Sequence, residues 1–269
     1  MKTSVKLLAA ATLATSAPTL LADVHGDPYR PVGSLDLDQH MVRNGKKAEF
    51  SWGITYPVTV PDLIIPQAGG TVLTKEELRV KIRVVGVAHF NKSNNGHGNN
   101  DDGVDSSNPG ASKDGEDSDP TVDDEIPVGF WTKIGNGSWS QAFYGNGTQV
   151  AADEYVFEQI VPANTTIDFA GRGRKTTGSW FDIRWTMDTD SAVVALQNGD
   201  SLPNYSPALE QGAIESFLSS YINDDNLVTM GPRDMIYLFE LASRSPGESS
   251  FDLQDLAVVV TYEQTNTAP

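Results

Sequence analysis

Cysteine is absent from the 269-residue chain. That excludes disulfide staples, thiolate-held zinc and a cysteine nucleophile. A chain of this length can bury a sufficient core without covalent help. Histidine is scarce, and His25, His40, His89 and His97 share no close metal-ligand spacing. Neither H-E-x-x-H, nor a G-x-S-x-G elbow, nor a phosphate-cradling glycine loop occurs. Positive charge is also short. The 19 Lys and Arg face 36 Asp and Glu, for a net charge of −17. Such a surface repels nucleic acid and anionic membranes, so neither is an expected partner. No run of residues has the length and apolar continuity to span a bilayer.

The chain opens MKTSVKLLAAATLATSAPTLLA. Lys2 and Lys6 precede a short apolar stretch from Leu7 to Ala17, and Ala22 offers a small residue for cleavage. This pattern reads as a secretory signal peptide over residues 1–22, giving a secreted or cell-surface protein after its removal. Removal takes two lysines and no acid, so the mature chain is more acidic still. Residues 23–269 read as one domain.

The regular structure in that domain has the periodicity of strands. Phe50, Trp52, Ile54, Tyr56, Val58 and Val60 recur at every second position, after a turn signal at Asn44-Gly45. Leu78 to Phe90 places Val80, Ile82, Val84 and Ala88 on one face. Phe181, Ile183, Trp185 and Met187 make another alternating run, which predicts a core position for Trp185 as for Trp52. Asp234 to Leu241 and Leu256 to Tyr262 are short apolar runs of the kind found in buried strands. One helix is expected, with Ser206 as cap, Pro207 at its first position, and Leu209, Ala213, Phe217 and Tyr221 along one side. Short strands divided by Gly and Asn turns predict an all-β fold, a β-sandwich of jelly-roll or Ig-like type with one short helix. The segment from Asp23 to Gly33 reads as extended, either a disordered N-terminal tail or a strand that pairs with another copy.

Residues 91–127 interrupt this pattern between two strands. Their centre, 99–125, reads NNDDGVDSSNPGASKDGEDSDPTVDDE, with ten acids, one lysine, and only Val104, Ala111 and Val122 as apolar side chains. Such a stretch cannot offset its ordering entropy by burial. Oxygen ligands spaced by Gly, Asn and Ser can instead wrap calcium, which takes six to eight of them. Asp101-Asp102-Gly103-Val104-Asp105 resembles the calcium loops of thrombospondin type 3 repeats. The resemblance implies calcium as the bound ion, with Asn100 and Asp102 alternating ahead of Gly103; Asp105 stands one residue early and Gly98 replaces the first acid. The expected ligand set is Asn100, Asp101, Asp102, Asp105, Asp114, Asp117, Asp119, Asp123, Asp124 and Glu125.

Three other features carry chemistry. Arg172, Arg174 and Lys175 form the one dense basic cluster; glycines on either side read as an ordinary exposed turn, and the alternative is a site for an anionic polymer or for the acidic stretch of a neighbouring copy. Trp131, Trp139 and Tyr144 could stack on sugars or fill a core. Ser250 to Leu256 holds Asp252 and Asp255 just before the last strand, where two exposed acids are expected. The reading is a secreted calcium-binding structural or interaction protein of the cell surface, a filament, a matrix or an adhesive contact. Its partner would be another copy, a cell-surface molecule or a polysaccharide. The alternative is a carbohydrate-binding sandwich, followed by a glycoside-active enzyme.

Calcium ordering has a direct test. Calcium should slow proteolytic nicking between Asn99 and Glu125, and replacing Asp101, Asp102 and Asp105 together by Asn should remove that protection. Equal cleavage rates in calcium and in chelator would discard the calcium reading.

Overall fold

Alternation along the chain becomes two stacked antiparallel sheets. The structure, a computed structural model, describes residues 29, 31–37, 50–89, 125–175, 177–205, 214–248 and 250–265. Strands β1 (Val32–Leu37) and β2 (Phe50–Thr55) form a two-stranded ribbon of their own. Val32 and Gly33 pair with Thr55 and Ile54 of the same chain. The Tyr29 hydroxyl donates to the Gly231 carbonyl at 3.4 Å. The end of the segment expected to be free is therefore engaged within its own molecule. Helix α1 (Val60–Leu63) follows, with Pro61 in its first turn and Asp62 accepting from the Thr59 amide and hydroxyl.

The first sheet of the sandwich is built from β3 (Ile64–Pro66), β4 (Val72–Thr74), β6 (Val128–Ile134), β7 (Ser140–Gly145), β9 (Thr166–Gly173) and β10 (Arg184–Trp185). Its order is β3-β4-β9-β6-β7, with β10 paired to β9. The second contains β5 (Leu78–Val87), β8 (Phe157–Val161), β11 (Val193–Leu196), β12 (Asp234–Phe239) and β13 (Leu256–Gln264), in the order β11-β12-β13-β5-β8. All pairings are antiparallel. The fold is all-β, as the alternation predicts.

Between the sheets lie Val80, Ile82 and Val84 of β5, Phe130 of β6, Phe169 of β9, Tyr237 and Phe239 of β12, and Val258, Val260 and Tyr262 of β13. Phe169 meets Phe130 at 5.9 Å and Tyr237 at 4.8 Å between ring centres. The second sheet is covered on its far side too. Ile236, Leu238, Ala257 and Val259 pack there against Ile214, Leu218, Val228, Phe251 and Leu253. Burial on both faces explains why β12 and β13 are continuously apolar rather than alternating.

Helix α2 (Ile214–Phe217) belongs to that outer cover. It holds four residues, and the cap and first turn expected at Ser206 to Ala213 lie outside the described residues. A bulge changes one face assignment. Val258 pairs with Val84 and Ala257 with Gly86, so Val85 is an extra residue on β5. Parity flips beyond it, and Val87 joins the inter-sheet core although its position in the alternation puts it on the opposite face.

The run around Trp185 also differs from expectation. Arg184 and Thr186 point inward and are buried, whereas Trp185 is half-buried and Met187 is 48% exposed. Its alternation is real but its faces are reversed. The side chain of Trp52, and the leader at 1–22, lie outside the described residues. Among the described residues, no helix is long and apolar enough to cross a membrane.

These placements separate two aromatic substitutions. Phe130→Ala should lower unfolding free energy by about 3–5 kcal/mol, the usual cost of emptying a core aromatic site. Trp185→Ala, on the outer face, should cost clearly less in the same urea denaturation series.

Candidate functional site

The outward side of the first sheet concentrates tryptophan. On β6, Val128, Phe130 and Thr132 face the other sheet, leaving Gly129, Trp131 and Lys133 outside. Gly129 is flanked across the strands by Tyr144 of β7 and Arg172 of β9. The Trp131 indole lies over Gly129, and a Cβ there would run into the ring. Trp180, bridged to Arg174, brings a second indole to within 6.2 Å of Trp131 and 6.0 Å of Tyr144. The Arg172 guanidinium sits 5.5 Å from the Trp180 ring and donates through Nε to the Phe181 carbonyl at 2.6 Å. Arg174 donates through Nη1 to the Tyr144 hydroxyl at 2.7 Å.

A second group adjoins the first. Ala170 of β9 has Trp131 on one side and Trp185 of β10 on the other, and is fully covered. Trp139 packs on Trp185 at 4.6 Å, and the Lys133 ammonium lies 5.9 Å from the Trp139 ring. Each of these four tryptophans is half-buried, and none belongs to either core cluster.

The cations beside them lack acidic partners. The ion pairs of Arg79, Lys81 and Arg244 are with Glu158, Glu263 and the pair Asp188 and Asp190. Among the described residues, no carboxylate pairs with Lys133, Arg172, Arg174 or Lys175. Asp168, on the outward side of β9, is buried and accepts from the Thr71 hydroxyl at 2.6 Å.

Behind this face, one end of the sandwich holds a buried polar network. Asp255 accepts from the Leu241 and Ala242 amides at 2.6 and 3.2 Å, and its other oxygen meets His89 Nδ1 at 2.9 Å. His89 Nε2 faces the Arg174 carbonyl at 3.3 Å, and Gly173 leaves room for the imidazole because it has no Cβ. Glu240 accepts from the amides of Ala242, Ser243 and Asp252. Arg184 Nε donates to the Glu240 carbonyl at 3.2 Å. Asp252 and Asp255 are thus buried, not exposed as expected from the sequence. The reason is that the chain turns back here, with Leu253 at φ 63°, and its bare amides need acceptors inside the fold. Burial, then the nearby Asp255 charge, pushes the Glu240 carboxyl up to about 8.

Of the ten expected calcium ligands, only Glu125 falls among the described residues. It stands at the foot of the insertion, where Oε2 accepts from the Gly147 amide at 2.6 Å and burial raises its pKa. Asn100, Asp101, Asp102, Asp105, Asp114, Asp117, Asp119, Asp123 and Asp124 lie outside. Among the described residues, no three His, Asp or Glu are grouped to hold a metal. Asn223 to Asn226, a possible extra source of oxygens, forms a tight turn in which Asn223 accepts from the Asp225 and Leu227 amides.

Comparison with family models, curated proteins and solved structures returned no match. The residues themselves therefore carry the argument. Trp131, Trp139, Tyr144 and the basic cluster are readable as surface candidates in the sequence, and the structure brings them together. Trp180 and Trp185 are the additions. Alternation marked the run holding Trp185 but gave no sign of which side faces water.

Glu240 makes stability depend on pH in a defined direction. Its folded pKa, about 8, exceeds the ordinary 4.5. The contribution is complete below the unfolded value and is lost as pH rises through the folded one. Glu240→Gln should therefore flatten the fall in unfolding free energy between about pH 5 and 8. An unchanged slope in urea melts across that window would show that Glu240 does not titrate there.

Proposed function

We propose that the protein is a secreted interaction protein that binds polysaccharide through the outer face of β6, β7, β9 and β10. The observation that carries this reading is the clustering of Trp131, Trp139, Trp180 and Trp185, with Tyr144, on one outward sheet face. Large aromatic side chains are normally the first to be used in a core. Here Phe and Tyr fill the core, and all four of these indoles stay outside it. A contiguous aromatic patch rimmed by polar groups marks a binding surface. Flat π faces suit the apolar faces of sugar rings, and the nearby cations and amides can meet hydroxyl or acid groups.

Such binding serves a matrix, adhesive or cell-surface role without chemistry on the ligand. Secretion is supported by the leader pattern, and calcium would act through the acidic insertion. That insertion leaves the second sheet after β5 and rejoins the first at β6. Its two feet are tied together by the Ile126 amide donating to the His89 carbonyl at 2.7 Å.

Retardation in native gels cast with soluble polysaccharides, neutral and acidic, tests the reading together with tryptophan fluorescence. At least one polymer should slow the wild type and shift its emission. The double variant Trp131→Ala, Trp180→Ala should lose both responses while keeping its unfolding free energy in urea within about 1 kcal/mol of wild type. Absence of retardation by every polymer, or unchanged retardation of the variant, would refute it.

A further inference from the structure

Resting on the polysaccharide reading, we infer that the ligand is an acidic polysaccharide laid across the outward faces of β6, β9 and β10 and held at two separate aromatic–cation stations. The first station is Trp131, Trp180 and Tyr144 with Arg172 and Arg174. The second is Trp139 and Trp185 with Lys133. Ala170 is the low floor between them, because each neighbouring strand places a tryptophan beside it.

Charge selects the ligand class. The chain carries a net charge of −17, so its general surface repels an anionic polymer. Among the described residues, Lys133, Arg172, Arg174 and Lys175 gather on this face with no carboxylate to neutralise them, so attraction is concentrated there. Arg172 is already oriented, since Nε is fixed on the Phe181 carbonyl and the ring plane of Trp180 lies beside the guanidinium. A fork held this way loses little freedom on meeting a planar carboxylate. Arg174 is held likewise by the Tyr144 hydroxyl. Repulsion elsewhere keeps the polymer in this track.

Spacing sets the length. The first station is centred near Gly129, where the Trp131 ring lies, and the second lies at Lys133. Four residues of extended strand separate Gly129 from Lys133, roughly 13 Å at the usual rise, and Trp185 stands two strands across from Trp131, roughly 10 Å at the usual strand spacing. One sugar ring cannot touch both stations, whereas an oligomer can. Engaging the second station after the first is an intramolecular step and adds affinity without new kinds of contact.

Calorimetric titration with galacturonate oligomers from dimer to hexamer, beside neutral xylan oligomers of the same lengths, tests charge and spacing separately. The acidic hexamer should bind about tenfold or more tightly than the acidic dimer, through occupation of both stations. It should also outcompete the neutral hexamer and weaken as salt is added. Arg172→Gln should reduce acidic binding at every length, and Lys133→Gln should remove the gain from dimer to hexamer. Neutral and acidic hexamers binding equally would overturn the charge assignment while leaving polysaccharide binding intact. A flat dependence on length would overturn the two-station track. Failure of every oligomer and every polymer to bind would bring down both this inference and the reading beneath it.

Discussion

The Asp255 carboxylate is the constraint on which one end of this sandwich depends. It lies immediately before β13, receives the bare amides that follow β12, and meets His89 just after β5. Three strands that are central to one sheet are thereby fixed at a common end. His89 extends the connection to the other sheet through the Arg174 carbonyl, and Arg174 fixes Tyr144 on the outer face. Both ring nitrogens of His89 face oxygens, the Asp255 carboxylate on one side and the Arg174 carbonyl on the other. Removing one partner from such a buried pair leaves the other uncompensated, which is costlier than the pair itself is stabilising. A buried acid is thus linked, through three named contacts, to the geometry of a surface patch.

The two sheets divide the work unequally. The second is covered on both sides, between the inter-sheet core and the layer that includes α2. Its strands supply more buried apolar residues than those of the first sheet, and with them more of the driving force for folding. The first sheet needs only one apolar face, so its other side is free to carry residues chosen for contact with solvent or ligand. Gly129 and Ala170 show this: each is small where an indole must lie close to the backbone. Aromatic groups on a rigid sheet lose little freedom when a ligand stacks on them, which makes such a surface a better receptor than a loop.

Fold class was legible because period-two patterning is a direct imprint of a half-buried strand. The continuous runs of β12 and β13 were legible as buried strands for the complementary reason. Side was harder to read than period. For Phe181 to Met187, apolar residues alternate with Asp182, Arg184, Thr186 and Asp188, which argues for an inward Trp185 on hydropathy alone. Arg184 can face inward because the Glu240 carbonyl lies 56 positions away in sequence but within hydrogen-bond distance in space. Nothing local announces that partner. Asp255 follows the same logic, since its burial is compensated by the Leu241 and Ala242 amides and by His89, all distant in sequence. The bulge at Val85 was invisible for a different reason: an extra residue leaves the composition of a strand unchanged and alters only its pairing. The Trp131, Trp139 and Tyr144 cluster was visible as composition, but its completion by Trp180 and Trp185 required the Arg174–Trp180 bridge and the β9–β10 pairing.

Sheet order also governs when this molecule can become itself. β13 follows every other strand in the chain, yet it lies between β12 and β5 at the centre of the second sheet. Its pairing joins Gln264 to Leu78, so the decisive closure spans most of the domain. Before residues 256–264 emerge from the ribosome, β5 and β12 have no common neighbour and the second sheet remains in two halves. Long-range closure of this kind slows folding and keeps a nascent chain open. The chain thus stays open until synthesis reaches the one strand that locks it.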